Sequence, residues 1–262
     1  MTTGVMRLDG RRDGGEGHRA AAARAGEGFT AWFLADWREV LFVHYAFEPG
    51  VLRPHAPFEL DLFDGCAWVS LVAFTQRRLR PARGGRWTSW VTAPVARHAF
   101  LNLRAYVRGA DGTPGICFLA EWIPNRLARV TGPALYGMPF RLAEMAYVPG
   151  RREVRADGGT WRADYLEAEA ESALARAGTA EAFLLERYTA YTERNGLGRR
   201  FDIRHEPWAW RPAAVRVRDD SLIGAAAPWF GCGRLGGAHV SEGVDDVCIG
   251  GPRVVERSSA AP

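Results

Sequence analysis

The sequence predicts a mostly antiparallel β domain with a few flanking helices, an α+β chain in which β structure dominates. Three observations lead there. Within residues 98–108, Leu101, Leu103, Ala105 and Val107 alternate with Asn102, Arg104, Tyr106 and Arg108, the period of a strand. The dipeptides Asp64-Gly65 and Asp111-Gly112 each separate two apolar runs, and Asp-Gly suits a tight hairpin turn. Of the 262 residues, 47% are hydrophobic and 11% aromatic, enough for a large core, and neither an internal repeat nor a linker divides the chain.

Taken in order, residues 1–28 carry Gly, Arg, Ala and charge with almost no apolar side chains. They read as a disordered leader, with a targeting peptide or a misplaced start codon as rival readings. A single domain is expected over residues 29–250 and a flexible tail over 251–262. Residues 37–47 are β-branched and aromatic, a strand, and residues 48–54 a short helical turn closed by Pro54. Residues 58–63 and 66–74 make a hairpin. Residues 75–97, rich in Arg, Gly and Trp, read as a long loop capable of covering a pocket.

The central hairpin joins residues 98–108 to residues 115–122. With Asp111-Gly112 at the turn centre, residue 110 pairs with 113 and Asn102 faces Glu121, with Arg104 diagonal to it. A slip of one residue would separate Glu121 from the other two. Residues 124–135 predict a short helix interrupted at Gly132-Pro133, residues 141–148 a strand, and residues 152–156 and 160–167 a further hairpin. Thr179 suits the N-cap of a helix carrying Ala182, Phe183, Leu184, Leu185, Tyr188 and Tyr191 on one side. Strands follow at 200–208, 214–217 and 244–249.

Composition narrows the chemistry. All 34 basic residues are arginine; without a lysine amine there is no Schiff base, and arginine stays protonated. A net charge of +4 with scattered basic residues gives little reason to expect a nucleic-acid partner. Cys66, Cys117, Cys232 and Cys248 form no C-x-x-C pair. No secretory segment is recognisable, so reduced thiols and a cytoplasmic setting are expected, and no apolar run approaches the roughly 20 residues that span a bilayer. The histidines show no metal-binding spacing, the Gly-x-Gly runs at 231–237 lack the setting of a phosphate loop, and Ser70 and Ser241 lack a nucleophile elbow. No metal and no cofactor are expected; the oligomeric state stays open, a homo-oligomer included.

The candidate site residues follow from the central hairpin. Arg104 on a central strand either grips a ligand carboxylate or phosphate or pairs with Glu121. Glu121, between Ala120 and Trp122, either acts as a general acid or base with a raised pKa or serves as that partner. Asn102 binds a carbonyl or oxyanion, or satisfies backbone. His44, inside an apolar strand, is a core histidine or an acid–base group. His205 and Tyr136 are candidates for substrate contact, while the spacing of Tyr188 and Tyr191 favours core packing.

Several stretches also carry a resemblance. Leu-Phe-Val-His-Tyr (41–45), Glu-Leu-Asp-Leu-Phe-Asp-Gly-Cys-Ala-Trp-Val (59–69), Leu-Asn-Leu-Arg-Ala-Tyr-Val (101–107), Pro-Gly-Ile-Cys-Phe-Leu (114–119), Tyr-Gly-Met-Pro-Phe (136–140), Glu-Arg-Tyr-Thr-Ala-Tyr (186–191) and His-Glu-Pro-Trp (205–208) resemble, in order, the YqjF-like family of uncharacterised bacterial proteins. That family usually has Glu where this chain has Phe100, so any role of that carboxylate is absent or moved, Glu121 being the candidate. The family resembles acetoacetate decarboxylase in fold, which implies a cone-like, closed β barrel with a central cavity. The decarboxylase works through a lysine imine, which this chain cannot form, and fold alone does not carry chemistry.

Three readings of function result. In the first, a small-molecule ligand, a carboxylate or oxo acid, sits in the cavity, with Arg104 on its anion and Glu121 or His44 moving a proton. In the second, the cavity binds an apolar or aromatic metabolite without catalysis. In the third, the barrel is filled and structural.

Overall fold

The computed structural model describes residues 29–84 and 88–257; the reading of residues 1–28 lies outside them. The chain opens with β1 (Ala31–Phe47), α1 (Pro49–Leu52), a 3-10 turn at Arg53–His55, β2 (Glu59–Leu60), β3 (Leu62–Phe63) and β4 (Cys66–Pro81). Next come α2 (Ser89–Thr92), a 3-10 turn at Ala93–Val95, β5 (His98–Arg108), β6 (Pro114–Ile123) and α3 (Ala128–Tyr136). β7 (Phe140–Leu142), β8 (Glu144–Val148), β9 (Arg151–Ala156), β10 (Gly159–Glu167) and α4 (Ala180–Leu185) follow. The last elements are β11 (Thr189–Arg194), β12 (Leu197–Arg204), β13 (Arg211–Asp219), α5 (Ser221–Ala226), a 3-10 turn at Pro228–Cys232, β14 (Arg234–Gly250) and β15 (Arg253–Val255). Among the described residues no helix is long and apolar enough to cross a membrane.

The mainly antiparallel α+β class is the one adopted. β1, β4, β5, β6, β11, β12 and β14 are hydrogen-bonded in that order, and β14 pairs back onto β1, so the pairings form a ring. Every step of it is antiparallel except β6–β11. The second edge of β6 is divided between β11, at Ile116 and Cys117, and β7, at Glu121 to Ile123. β13, β10, β9 and β8 continue from β14 as a flap.

Alternation along the strands separates two apolar regions. Leu41, Val43, Leu71, Leu103 and Val107 face outward into a core that the flap covers with Val154, Trp161 and Ala163. Val40, Phe42, Val72, Phe74 and Phe100 face inward. Both faces of β1 are therefore dry from Val40 to Phe47, which explains the continuous apolar reading there. At the irregularity where β1 meets β14, a Cβ on Gly243 would lie 1.9 Å from the Trp37 carbonyl oxygen, and its φ is +115°. Only glycine fits there.

Several expectations are corrected. Residues 75–97 are not one loop: β4 runs on to Pro81 because the long β1 pairs with it as far as Phe33, and α2 with its 3-10 turn follows. Gly132-Pro133 does not interrupt α3. Pro133 removes only the bond to the carbonyl of Arg129, which lies in the exposed first turn, and Gly137 closes the helix at φ 70°. The strand expected over 141–148 breaks at Ala143, whose N–H donates to the Ile123 carbonyl at 3.0 Å. Thr179 does cap a helix, its Oγ1 accepting from Ala182 N at 3.3 Å, but that helix ends at Leu185. Tyr188 and Tyr191 lie beyond it, because Asn195-Gly196, both at positive φ, turn β11 back onto β12. Within the expected tail, Arg253–Val255 form a strand on β12.

Candidate functional site

The inward faces of β1, β4, β5, β6, β12 and β14 enclose a cavity of about 380 Å³, with α3 and the α2 region at its mouth. That size lies within the range of small-molecule sites. Most of its wall is aromatic. Trp37 packs on Phe74 at 5.5 Å and on Trp208 at 6.2 Å, and Phe74 stacks on Phe100 at 4.9 Å.

One wall, on β5 and β6, differs. Asn102 pairs with Glu121 as expected, but the route to that register has two irregularities. Gly109 N donates to Thr113 O across the turn and Arg108 pairs with Pro114, one residue out of the expected register. An extra residue on β6 between Phe118 and Ala120 then restores it. That bulge matters for chemistry. Cys117, Leu119, Ala120 and Trp122 all face the outer core, whereas Ile116, Phe118 and Glu121 line the cavity. Without the bulge the alternation would aim Glu121 away from the cavity.

Asn102, Arg104 and Glu121 thus share one wall. Asn102 Nδ2 donates to Glu121 Oε1 at 3.0 Å, leaving Asn102 Oδ1 and Glu121 Oε2 buried and without a partner. Burial pushes the Glu121 carboxyl up to about 8, against the opposing bond from Asn102. It is therefore mostly protonated at neutral pH, and since Oε1 already accepts from Asn102, Oε2 is the oxygen able to donate. Arg104 is not its ion-pair partner. The guanidinium lies over the Phe42 and Tyr106 rings at 5.5 and 5.8 Å and donates from Nη2 to the Leu184 carbonyl at 3.2 Å. Its Nε is buried without a partner, and among the described residues it forms no ion pair. The neighbouring cation on the cavity wall, Arg187, is neutralised by Asp61 at 2.7 Å.

The other expected residues fare differently. His44 is fully buried but does not line the cavity. Its Nδ1 meets Ser70 Oγ at 2.6 Å and its Nε2 meets His239 Nδ1 at 3.1 Å. Ser70 Oγ in turn meets the Tyr106 hydroxyl at 2.6 Å, which donates to the Leu184 carbonyl at 2.7 Å. Burial first, then His239 and Arg104, hold His44 well below the usual imidazole range. The ring is a neutral member of a structural chain ending on the carbonyl that also holds Arg104. Tyr136 lines the cavity with its ring, while its hydroxyl donates to Gly250 O at 3.0 Å and ties α3 to β14. His205 reaches the wall too; its Nδ1 contacts Glu206 O at 2.6 Å and its ring lies 4.9 Å from Trp208. Two further cavity residues went unnoticed in the sequence, His98 and Trp37. His98 has the parity of Asn102 on β5, and that spacing was the available signal.

Residues 34–245 match the model of the DUF2071 family, described as an uncharacterized conserved protein. The chain belongs to the DUF2071 family. Within it, the chain is 30% identical over 208 residues to the uncharacterized protein YqjF of Bacillus subtilis (strain 168), covering 74% of this chain and 81% of that protein. Among solved structures, this DUF2071 chain is similar to acetoacetate decarboxylase from Legionella pneumophila, with a TM-score of 0.58 and 11% identity over 88% of this chain and 90% of that one. It is also similar to the enduracididine biosynthesis enzyme MppR complexed with pyruvate, with a TM-score of 0.56 and 13% identity over 89% and 94%. At those identities the likeness shows the fold alone.

Proposed function

We propose that the chain binds a small carboxylate or oxo acid inside the ring of strands, which acts as a closed barrel around it. Arg104 holds the anion. Asn102 and the protonated Glu121 meet the second oxygen function, and Glu121 exchanges a proton with it. Without lysine, any catalysis here proceeds by acid–base chemistry and not through an imine. The observation that carries this reading is the β5–β6 wall, where Arg104, without a counter-ion among the described residues, lines the same cavity as a carboxyl kept neutral by burial. Buried polar atoms without partners are rare in folded proteins and gather at sites of function. The pyruvate held by MppR in the same fold supports an oxo acid in this one. His44 supports the role of proton carrier less well, since it does not line the cavity and its nitrogens meet Ser70 and His239. The free thiols of Cys66, Cys117 and Cys232 suit a reducing, cytoplasmic setting.

The aromatic wall of Trp37, Phe74, Phe100 and Trp208 favours a second reading, non-catalytic binding of an apolar or aromatic metabolite. A filled interior does not fit a cavity of about 380 Å³.

Thermal unfolding against small oxo acids, carboxylates and apolar metabolites separates these readings. A ligand at about 100 times its dissociation constant adds roughly 2.7 kcal/mol. Carboxylates are expected to stabilise the parent and not Arg104→Gln. Stabilisation by uncharged apolar compounds alone, equal in both proteins, would support the second reading instead.

A further inference from the structure

The cavity is longer than the β5–β6 wall. Along β5, His98, Phe100, Asn102 and Arg104 all project inward, since alternate residues of a strand share a face. Four residues of rise separate His98 from Asn102, roughly 13 Å at about 3.4 Å per residue, and Arg104 lies further on in the same direction. His98 thus marks the end opposite Arg104, beside the α2 region. It pairs across to Gln76, which is also buried, and its ring lies 4.5 Å from Phe100, which stacks on Phe74.

His98 is 7% exposed, yet among the described residues neither ring nitrogen has a partner in hydrogen-bond geometry, although the Val95 backbone lies near enough to act on it. As a mere core filler this is a poor choice. A buried polar group without partners destabilises the fold relative to an apolar ring of similar shape. Burial also pulls its pKa down to about 4, so at neutral pH it presents one N–H donor and one bare acceptor. A neutral imidazole complements a hydroxyl, carbonyl or amide and offers no charge to a second carboxylate. Between the two polar ends the wall is aromatic. The volume of about 380 Å³ equals the liquid share of roughly a dozen waters, far more than a two- or three-carbon acid occupies.

We infer that His98 forms a distal polar subsite, and that the ligand is an elongated acid: its carboxylate on Arg104, an apolar body along Phe100 and Phe74, and a neutral hydrogen-bonding group on His98. This rests on the reading of Arg104 as the anion anchor, and the test separates the two. Acetate, phenylbutanoate and phenylbutanoate bearing a para-hydroxyl are titrated calorimetrically into the parent, His98→Phe, His98→Gln and Arg104→Gln. In the parent, the apolar body is expected to strengthen binding over acetate, and the hydroxyl to add roughly fivefold, the worth of one hydrogen bond. His98→Phe keeps the ring stack and the affinity for phenylbutanoate but loses the hydroxyl increment. His98→Gln, which still donates and accepts, restores part of it. Arg104→Gln weakens both aryl acids alike. If the hydroxyl adds nothing in the parent, or its increment survives in His98→Phe, the distal subsite is overturned while the anchor stands. If none of the three acids binds the parent, the anchor falls and the subsite with it.

Discussion

Glu121→Gln is expected to be more stable than the parent at pH 9 and equal to it near pH 4. The carboxyl is buried, and its pKa rises from 4.5 to about 8 on folding. Between those values the folded chain keeps a proton that the unfolded chain releases, so the folded state binds more protons and stability falls as pH rises. The penalty is absent below the unfolded value, grows through the window and is complete above about 8. Its full size is on the order of 5 kcal/mol. Glutamine keeps the shape and can still accept from Asn102 Nδ2, but it has no proton to lose. Urea unfolding of both proteins across this range should give curves that diverge towards alkaline pH. Parallel curves would mean that Glu121 is ionised and solvated, and the neutral donor of the site would be lost.

The second large effect concerns stability at the Arg187 end of the cavity. Asp61 is 3% exposed and accepts from Arg108 at 2.8 Å and from Arg187 at 2.7 Å. Arg187 is buried as well, lying over the rings of Phe183 and Tyr106 at 4.1 and 5.3 Å. Asp61→Asn leaves that guanidinium buried without its counter-ion, a change that typically costs about 3–5 kcal/mol. The double variant Asp61→Leu with Arg187→Met removes both charges and is expected to recover most of the loss, since apolar replacements of buried pairs are often neutral. A single variant that unfolds at the parental urea midpoint would show the pair to be solvated. The pair also bears on function: because Arg187 is held by Asp61, Arg104 is the arginine left to meet an anion among the described cavity residues.

Much of this was legible in the chain, for local reasons. Asp64-Gly65 marked the β3–β4 turn, and alternation in β5 marked a strand with Asn102 and Arg104 on one face. The pairing of Asn102 with Glu121 was legible only because two errors cancel. The turn is one residue out of register, and the β6 bulge restores the count. Nothing in Phe118, Leu119 and Ala120 announces a bulge; it is set by what packs on either side of the sheet. Asn195-Gly196 is a readable hairpin signal, but the apolar spacing of residues 182–191 also fits a helix and obscures the start of β11. The opposite wall of the cavity depends on Ile203 pairing with Ile249, a contact 46 residues apart in sequence. Such pairings are set by closure of the whole ring and leave no local trace. For the same reason the cavity was implied only by the family resemblance and by no local pattern, and His98 at its end emerged only from the structure.

The most direct test of the anion anchor compares an acid with its uncharged amide. Calorimetric affinities of phenylbutanoate and phenylbutanamide are measured for the parent and for Arg104→Gln at neutral pH. A charge-assisted hydrogen bond is worth about 1.5–3 kcal/mol, so the parent should prefer the acid by roughly tenfold or more, and Arg104→Gln should show no preference. Equal binding of acid and amide by the parent, or a preference that survives in Arg104→Gln, would contradict the assignment of Arg104 as the residue that holds the ligand.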